Sequence, residues 1–192
     1  DKTITLTGNK QVTTWSGTKQ EEGTSTSYTT APMLFNYVLG EIKNLTLYIE
    51  KSIVAKPSVS EEGKYNATDA IAPLAYAVYG TKAKLSNIKV KAHKDSNGKN
   101  DVYVQAATPA GLVVWAFNDA SITNCKVQVP VKMWLPSTAG DQAKHYAGGI
   151  VACAAKASIT ESVYLVQSDD AMSSANNATG ANNYYGGIVG GT

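Results

Sequence analysis

This 192-residue chain is poor in the residues that usually mark a chemical function. It has no Arg, only two His and two Cys, and a charged fraction of 17%, below the quarter found in average domains. Arg is the preferred side chain for phosphate groups and guanine edges, so its absence argues against a nucleic-acid partner. We therefore predict a protein that does not bind nucleic acid.

Long apolar runs and metal-binding spacings are also missing. No stretch approaches the roughly 18 apolar residues of a membrane span, and neither His93 nor His145 lies in a pattern that brings two imidazoles to one metal ion. Cys125 and Cys153 have no metal-binding spacing and lie in strand-like apolar sequence. We expect no cofactor, no metal site and two buried thiols, with a disulfide as the alternative.

The residues that are abundant favour turns and extended chain. The polar part is mostly uncharged, with 19 Thr, 15 Ser, 13 Asn and 16 Gly, and 43% of the residues are hydrophobic, which suffices for a buried core. The 17 Lys are scattered, with one loose group at Lys82, Lys84, Lys89, Lys91 and Lys94. We interpret that group as a solvated face.

An internal repeat organises most of the chain. In each copy an apolar run is followed by an anchor residue and an alternating segment, and the anchors Ile42, Leu85, Ile122 and Ile159 are about 43, 37 and 37 residues apart. Periods of roughly 20–50 residues are typical of solenoids and propellers, whose units bury their apolar faces against each other. The predicted units are 31–68, 69–108, 109–146, 147–185 and a partial copy at 186–192.

The repeat predicts an all-β chain. Segments such as Cys125–Val129 alternate buried and exposed positions, as half-buried strands do. The recurring Asn44, Asn87 and Asn124 would suit a left-handed bend or a hydrogen-bonded ladder. We predict a β-solenoid, a stack of about four units resembling a parallel β-helix, with an N-terminal β cap over 1–30.

Two features of the units stay open. The apolar first halves are predicted as strands, although Pro32, Pro73, Gly40 and Gly80 would also suit short helices in the first two units. The polar insertions are predicted as loops; they cover Ser52–Thr68, His93–Asn100, Ser137–Lys144 and Asp169–Asn183.

A glycine-rich step recurs in the later units, as Gly187-Ile188-Val189-Gly190, as Gly149-Ile150-Val151-Ala152 and, with three positions kept, as Gly111-Leu112-Val113-Val114. These steps resemble the GLUG motif of large secreted and surface proteins in Bacteroides-type bacteria, and the first of them is the nearest match. The resemblance covers roughly 31–192 and implies a β-solenoid scaffold, an extracellular or cell-surface location and no catalytic residues. Since the sequence opens at Asp1, a removed leader could carry a lipid anchor.

No catalytic constellation stands out. The adjacent acidic pairs Glu21-Glu22, Glu61-Glu62 and Asp169-Asp170 are poorly suited to acid–base catalysis, because neighbours on a strand face opposite sides. The segment Asp95–Asp101 resembles a calcium loop faintly but is predicted to be an ordinary turn. His145 is predicted to be a replaceable repeat residue, aligned with Tyr184.

Aromatic side chains are the best candidates for ligand binding. Tyr makes up 11 of the 16 aromatics, and its amphipathic ring suits recognition surfaces. We name Trp134, Tyr146 and Tyr184 as candidate ligand-binding residues, with a core position as the alternative for Trp134. The predicted function is non-enzymatic adhesion or recognition of host glycan, glycoprotein or matrix, by a monomer or part of a longer chain. The alternatives are a carbohydrate-active enzyme or its accessory domain, and a structural spacer.

Overall fold

The fold consists of short β-strands joined by turns. A computed structural model describes residues 2–6, 33–55, 70–134, 144–166, 172–175 and 182–192, and these ranges contain strands but no helix. In chain order the strands are β1 (Lys2–Leu6), β2 (Phe35–Val38), β3 (Glu41–Ile49), β4 (Ile53–Val54), β5 (Ala70–Ile71), β6 (Ala75–Tyr79), β7 (Lys84–Ala92), β8 (Val104–Ala106), β9 (Thr108–Pro109), β10 (Val113–Phe117), β11 (Ser121–Thr123), β12 (Lys126–Gln128), β13 (Val131–Trp134), β14 (Lys144–Gly148), β15 (Val151–Ala155), β16 (Ser158–Thr160), β17 (Val163–Tyr164), β18 (Met172–Ala175), β19 (Asn182–Gly186) and β20 (Val189–Gly191).

The strands form parallel sheets. The first sheet has the order β1-β3-β7-β11-β16, with β12 beside β7 and β17 beside β12; the second is β2-β6-β10-β15-β20 and the third is β18-β13-β8-β4. Two further pairs are β14-β19 and β5-β9. Strands that follow one another along the chain mostly belong to different sheets. The two strands of a parallel pair are therefore joined by a long connection, as parallel pairing requires. The all-β prediction is confirmed.

Corresponding strands of successive repeats pair in register. Ile42 is aligned with Leu85, Leu85 with Ile122, and Ile122 with Ile159. The four anchors identified in the sequence therefore lie in one row across the first sheet. The anchors belong to, or pack against, a single buried cluster. This cluster also contains residues of the second and third sheets, such as Val78 and Val104.

The recurring asparagines serve both roles that the sequence left open. Asn44, Asn87 and Asn124 have positive φ angles of 57°, 54° and 51°, which Asn tolerates better than most residues. Their amides also form a ladder across the first sheet. The Asn87 amide donates to the Asn44 oxygen at 3.0 Å, and the Asn124 amide donates to the Asn87 oxygen at 2.6 Å.

The alternation of the first sheet sets its two faces. Along β7, Leu85, Ile88 and Val90 are buried, while Lys89 and Lys91 are exposed. Burying one aliphatic side chain contributes about 1.5–3 kcal/mol, so this alternation fixes which face turns inward. The polar face is left for solvent and ligands.

The structure decides how the ambiguous first halves fold. Phe35–Val38 and Ala75–Tyr79 are strands of the second sheet, so the helical alternative for the first two units is wrong and the strand prediction is confirmed. In both cases the neighbouring parallel strands supply hydrogen-bond partners that an isolated helical turn would lack.

Two segments predicted as loops contain strands of the third sheet. These are Ile53–Val54, within Ser52–Thr68, and Met172–Ala175, within Asp169–Asn183. They were missed because strands of two to four residues carry little periodicity of their own and are defined by pairing with Val104–Ala106 and Val131–Trp134.

The N-terminal strand agrees with the alternation of Thr3–Thr7, since Lys2–Leu6 pairs in parallel with β3. The rest of the cap predicted over 1–30 lies outside the described residues, as do Pro32 and most of Ser137–Lys144. Among the residues described, we find no helix with the length and apolar character needed to cross a membrane.

Candidate functional site

The second sheet carries a cleft built almost entirely from aromatic rings. It encloses about 360 Å³ and is lined by Tyr37, Tyr76, Ala77, Tyr79, Trp115 and Phe117. We call it the aromatic cleft. The rings come from three neighbouring strands, β2, β6 and β10, and therefore from three successive repeats.

The register of these strands creates the cleft. Ala77 is aligned with Tyr37 on one side and with Trp115 on the other, so a small residue lies between two large rings. Ala77 is buried, whereas Tyr37 is 63% exposed. The methyl group of Ala77 therefore forms the floor, and the rings of Tyr37 and Trp115 form walls.

The spacing suits a flat ligand. Tyr37 and Trp115 lie two strands apart, which places their backbones about 9–10 Å from each other. A ring placed between two side chains needs about 7–8 Å, twice the van der Waals distance between carbon atoms. The spacing of the two backbones thus leaves room for one ring above Ala77.

Ring–ring contacts hold the walls in place. Trp115 stacks on Phe117 with centroids 5.6 Å apart and an interplanar angle of 17°, and Tyr76 meets Tyr37 edge to face at 6.4 Å. Such pairs contribute about 0.5–1.5 kcal/mol beyond the area they bury. The rings are therefore partly ordered before any ligand arrives.

Two of the three residues predicted from the sequence adjoin this cleft. Tyr146 contacts Trp115 edge to face at 6.3 Å and stacks on Tyr184 at 5.3 Å. Tyr184 is 40% exposed and Tyr146 is half-buried. The aromatic surface thus continues from the cleft across β14 and β19.

Trp134 lies elsewhere. It ends β13 in the third sheet, half-buried and aligned with Ala175, and the described residues give it no ring contact with Tyr146 or Tyr184. The structure therefore brings together Tyr146 and Tyr184 but not Trp134.

Sequence reasoning missed the cleft itself. The sequence predicts the apolar run that contains Trp115 and Phe117 as a strand but does not show that both rings are half-buried at its surface. The signal was available in the repeat, because Tyr79 and Phe117 occupy aligned positions and Tyr37 and Trp115 flank the same alanine. Only the pairing shows that these rings meet at one surface.

The lining of the aromatic cleft is uncharged. None of its six residues is a carboxylate or a cation, so the cleft offers ring faces and the hydroxyl groups of Tyr37, Tyr76 and Tyr79. Faces of this kind cover the C–H surfaces of a ligand, and the hydroxyls donate or accept hydrogen bonds at the rim.

The described residues contain no group of three His, Cys, Asp or Glu side chains placed to hold a metal ion. The acidic pairs Glu21-Glu22, Glu61-Glu62 and Asp169-Asp170 lie outside the described residues. The carboxylates that are described include Asp101, which lies 2.8 Å from the ring of His93.

His145 is buried inside the chain. Its exposed fraction is 1%, and it is aligned with Asn183, while Tyr146 is aligned with Tyr184. The predicted alignment of His145 with Tyr184 is therefore wrong by one residue.

The segment resembling a calcium loop is a closed turn. One oxygen of Asp95 accepts hydrogen bonds from the backbone N–H groups of Asn97 and Lys99, both at 2.9 Å, and Gly98 closes the turn. The hydrogen bond from Lys99, followed by that from Asn97, holds the pKa of Asp95 below its usual value against some desolvation. The turn prediction is confirmed.

Both cysteines are buried free thiols, as expected in preference to a disulfide. Cys125 is in the core beneath the first sheet, and Cys153 is on β15 of the second. Burial raises the pKa of each thiol, since it penalises the charged thiolate. Neither has the lowered pKa of a catalytic cysteine.

The chain was compared with protein families, curated proteins and solved structures. No family model, no curated protein and no solved structure matches it.

Proposed function

We propose that the chain is a non-enzymatic recognition module that binds carbohydrate, free or on a glycoprotein. The observation that carries this proposal is the aromatic cleft, in which Tyr37 and Trp115 lie on either side of Ala77 and the described lining residues carry no charge. A neutral sugar ring presents C–H faces to such walls and hydroxyls to the tyrosines at the rim.

We also propose that the scaffold is a β-solenoid of GLUG-like repeats from a bacterial surface or secreted protein. The in-register row Ile42, Leu85, Ile122 and Ile159 supports a stack of near-equal units. Three successive units contribute one or two rings each to the aromatic cleft. A rigid stack would fix the distances between these rings without paying ordering entropy at each binding event.

Sugar binding can be tested with exposed tyrosines whose removal leaves the core intact. We expect Tyr37→Ala and Tyr79→Ala each to weaken binding to neutral glycans roughly tenfold, because each deletes one ring face of the cleft. Tyr185→Ala is the matched control, since Tyr185 is 42% exposed and does not line the cleft. A neutral-glycan array screened with the unmodified chain would supply the ligand for calorimetry.

The same ligand separates this proposal from its alternatives. A binding module leaves the glycan intact, whereas a carbohydrate-active enzyme releases reducing ends over hours of incubation. A structural spacer would bind no glycan on the array at all. Equal affinities for the wild-type chain and both cleft variants would contradict the assignment of the aromatic cleft.

A further inference from the structure

A second cleft lies on the polar side of the first sheet. It encloses about 370 Å³, and its lining includes Lys94, Asn100, Lys126, Gln128 and Tyr164. It shares no residue with the aromatic cleft. Its size falls in the range of about 300–1,000 Å³ typical of ligand sites. We call it the lysine cleft.

The positive charges here come from distant parts of the sequence. Lys89 on β7 is aligned with Lys126 on β12, and Lys91 is aligned with Gln128. Lys94 follows at the end of the same strand, at the bridge that closes the Asp95 turn. Lys94 and Lys126 therefore line the cleft, and Lys89 and Lys91 lie on the strand next to two of its lining residues.

No carboxylate of the described chain neutralises these lysines. The only ion pairs of the described residues are Lys43 with Glu41 and His93 with Asp101, and the described residues that line the cleft include no Asp or Glu. Asp95, in the adjoining turn, is a charged carboxylate that accepts hydrogen bonds from two backbone N–H groups and forms no ion pair with a lysine of the described residues. Burial raises the pKa of Tyr164, so its hydroxyl remains neutral and adds no negative charge.

This arrangement opposes folding. Adjacent strands are about 4.8 Å apart, and like charges on facing positions repel. A glutamine at position 89 or 126 would preserve the exposed polar face without that repulsion. An anionic ligand bound beside these lysines would relieve their repulsion, and this relief would strengthen its binding.

We propose that the lysine cleft binds a polysaccharide whose sugars carry carboxylate or sulfate groups. Lys94 and Lys126 supply cationic contacts from the lining, and Lys89 adds a positive charge from the strand beside Lys126. The amides of Asn100 and Gln128 pair with sugar hydroxyls. Two polar amides beside lysines suit a ligand that carries both negatively charged groups and hydroxyl groups. Because the clefts share no residue, the proposal does not depend on the aromatic cleft.

Lysine-only contacts favour this ligand over nucleic acid. The chain has no Arg, and Arg supplies the planar fork that grips phosphate and reads guanine. The ring residues of the aromatic cleft are on another sheet, so they cannot stack on bases of a strand held at the lysine cleft. Duplex DNA is therefore the competing ligand to be tested.

The experiment compares four polymers with the full chain at low salt: polygalacturonate for carboxylate, heparin for sulfate, dextran as the neutral polymer, and duplex DNA. We expect polygalacturonate, heparin or both to bind, and the two arms identify which anion is preferred. The double variant Lys89→Gln/Lys126→Gln should lose about tenfold or more of this affinity. Dextran binding should not respond to it.

Matched double variants distinguish a defined binding site from nonspecific attraction between charges. Lys82→Gln/Lys144→Gln removes the same charge from two exposed lysines outside the cleft and should change the affinity less than twofold. Lys89→Arg/Lys126→Arg keeps the charge and should retain binding. The glutamine double variant should melt no lower than wild type, because the repulsion across β7 and β12 is gone.

Three results would overturn the proposal. The first is that no anionic polysaccharide binds. The second is an equal loss of affinity in the control double variant, which would mean unspecific charge attraction. The third is that duplex DNA binds as tightly as the acidic polysaccharides and depends on the same two lysines.

Discussion

At the scale of single residues, the asparagine ladder shows how one side chain serves backbone geometry and pairing together. Asn87 holds a positive φ of 54° and takes part in hydrogen bonds to both Asn44 and Asn124. A residue of another type could satisfy one requirement but not both. Gly adopts a positive φ angle without strain but has no side chain for hydrogen bonds. Ser or Thr can form hydrogen bonds but is strained at a positive φ angle.

Substitutions at Asn87 can separate the two roles. We expect Asn87→Gly to lower the free energy of unfolding by about 1–2 kcal/mol, because it removes the ladder hydrogen bonds while easing the backbone. Asn87→Ala should cost about 1 kcal/mol more, because a Cβ without a polar group disfavours the left-handed region. Chemical denaturation measures both values.

Asn118 provides the control for the ladder. It also has a positive φ, 51°, but it lies in the turn after β10 and makes no side-chain hydrogen bond within the described residues. Asn118→Gly should therefore be close to neutral. If it destabilises the chain as much as Asn87→Gly, the ladder contributes nothing to stability.

At the scale of strands and turns, the glycine steps allow successive units to approach closely. The amide of Gly149 donates to the carbonyl of Gly186 at 3.0 Å, and that of Gly111 donates to Gly148 at 3.1 Å. A Cβ on Gly149 would overlap the carbonyl oxygen of Gly187 and lie 2.5 Å from the Tyr164 ring. Glycine is required here by the neighbouring backbone rather than by its own dihedral angles.

The last copy of this step differs in its surroundings. Among the residues that the structure describes, a Cβ built on Gly187 meets nothing within 4 Å. We expect Gly149→Ala to lower the free energy of unfolding by about 1–3 kcal/mol or more, because backbone atoms cannot move aside as a side chain can. Gly187→Ala should change it by less than about 0.5 kcal/mol.

Thermal melting of the two alanine variants checks this difference. Both variants make the same chemical change in the same sequence motif, so any intrinsic glycine effect cancels. Similar melting temperatures for Gly149→Ala and Gly187→Ala would mean that the close contact between units is not maintained in solution.

At the scale of the whole molecule, the two clefts divide the chemistry between two sheets. Among the described residues, the aromatic cleft on the second sheet is lined by no charged side chain, and the lysine cleft on the first is lined by two lysines and no carboxylate. A net charge of +2 conceals this division. Positive charge is therefore segregated between the two clefts even though the overall charge is nearly balanced.

This segregation predicts independent binding of neutral and acidic glycans. Saturating the aromatic cleft with a neutral glycan should leave the affinity for an acidic polysaccharide unchanged in competition calorimetry. Raising the salt from about 50 to about 200 mM should weaken only the acidic ligand, because counterion release and screening act on charged contacts. Mutual displacement, or equal salt sensitivity of both ligands, would mean that one surface binds both.

The repeat and its anchors could be predicted from the sequence, because the periodicity and spacing of hydrophobic residues are local properties. The alternation of Cys125–Val129, the asparagine bends and the strand at Lys2–Leu6 all follow from the choice of one or two residues at a time. The short strands Ile53–Val54 and Met172–Ala175 were not readable, since pairing across repeats defines them. The sequence candidates Tyr146 and Tyr184 stack on each other, but Trp134 belongs to another sheet.

The sequence by itself determined that the chain is all-β, that its repeated units have matching anchor positions and that its two thiols are buried. These properties depend on burial and backbone preferences that act within a few residues. Only the tertiary structure decided that Tyr37 and Trp115 flank Ala77 and that Lys89 lies beside Lys126. Both neighbourhoods join residues about 37 or more positions apart, and their identity depends on the register of the strands. A shift of one residue would turn each ring and each lysine to the opposite face.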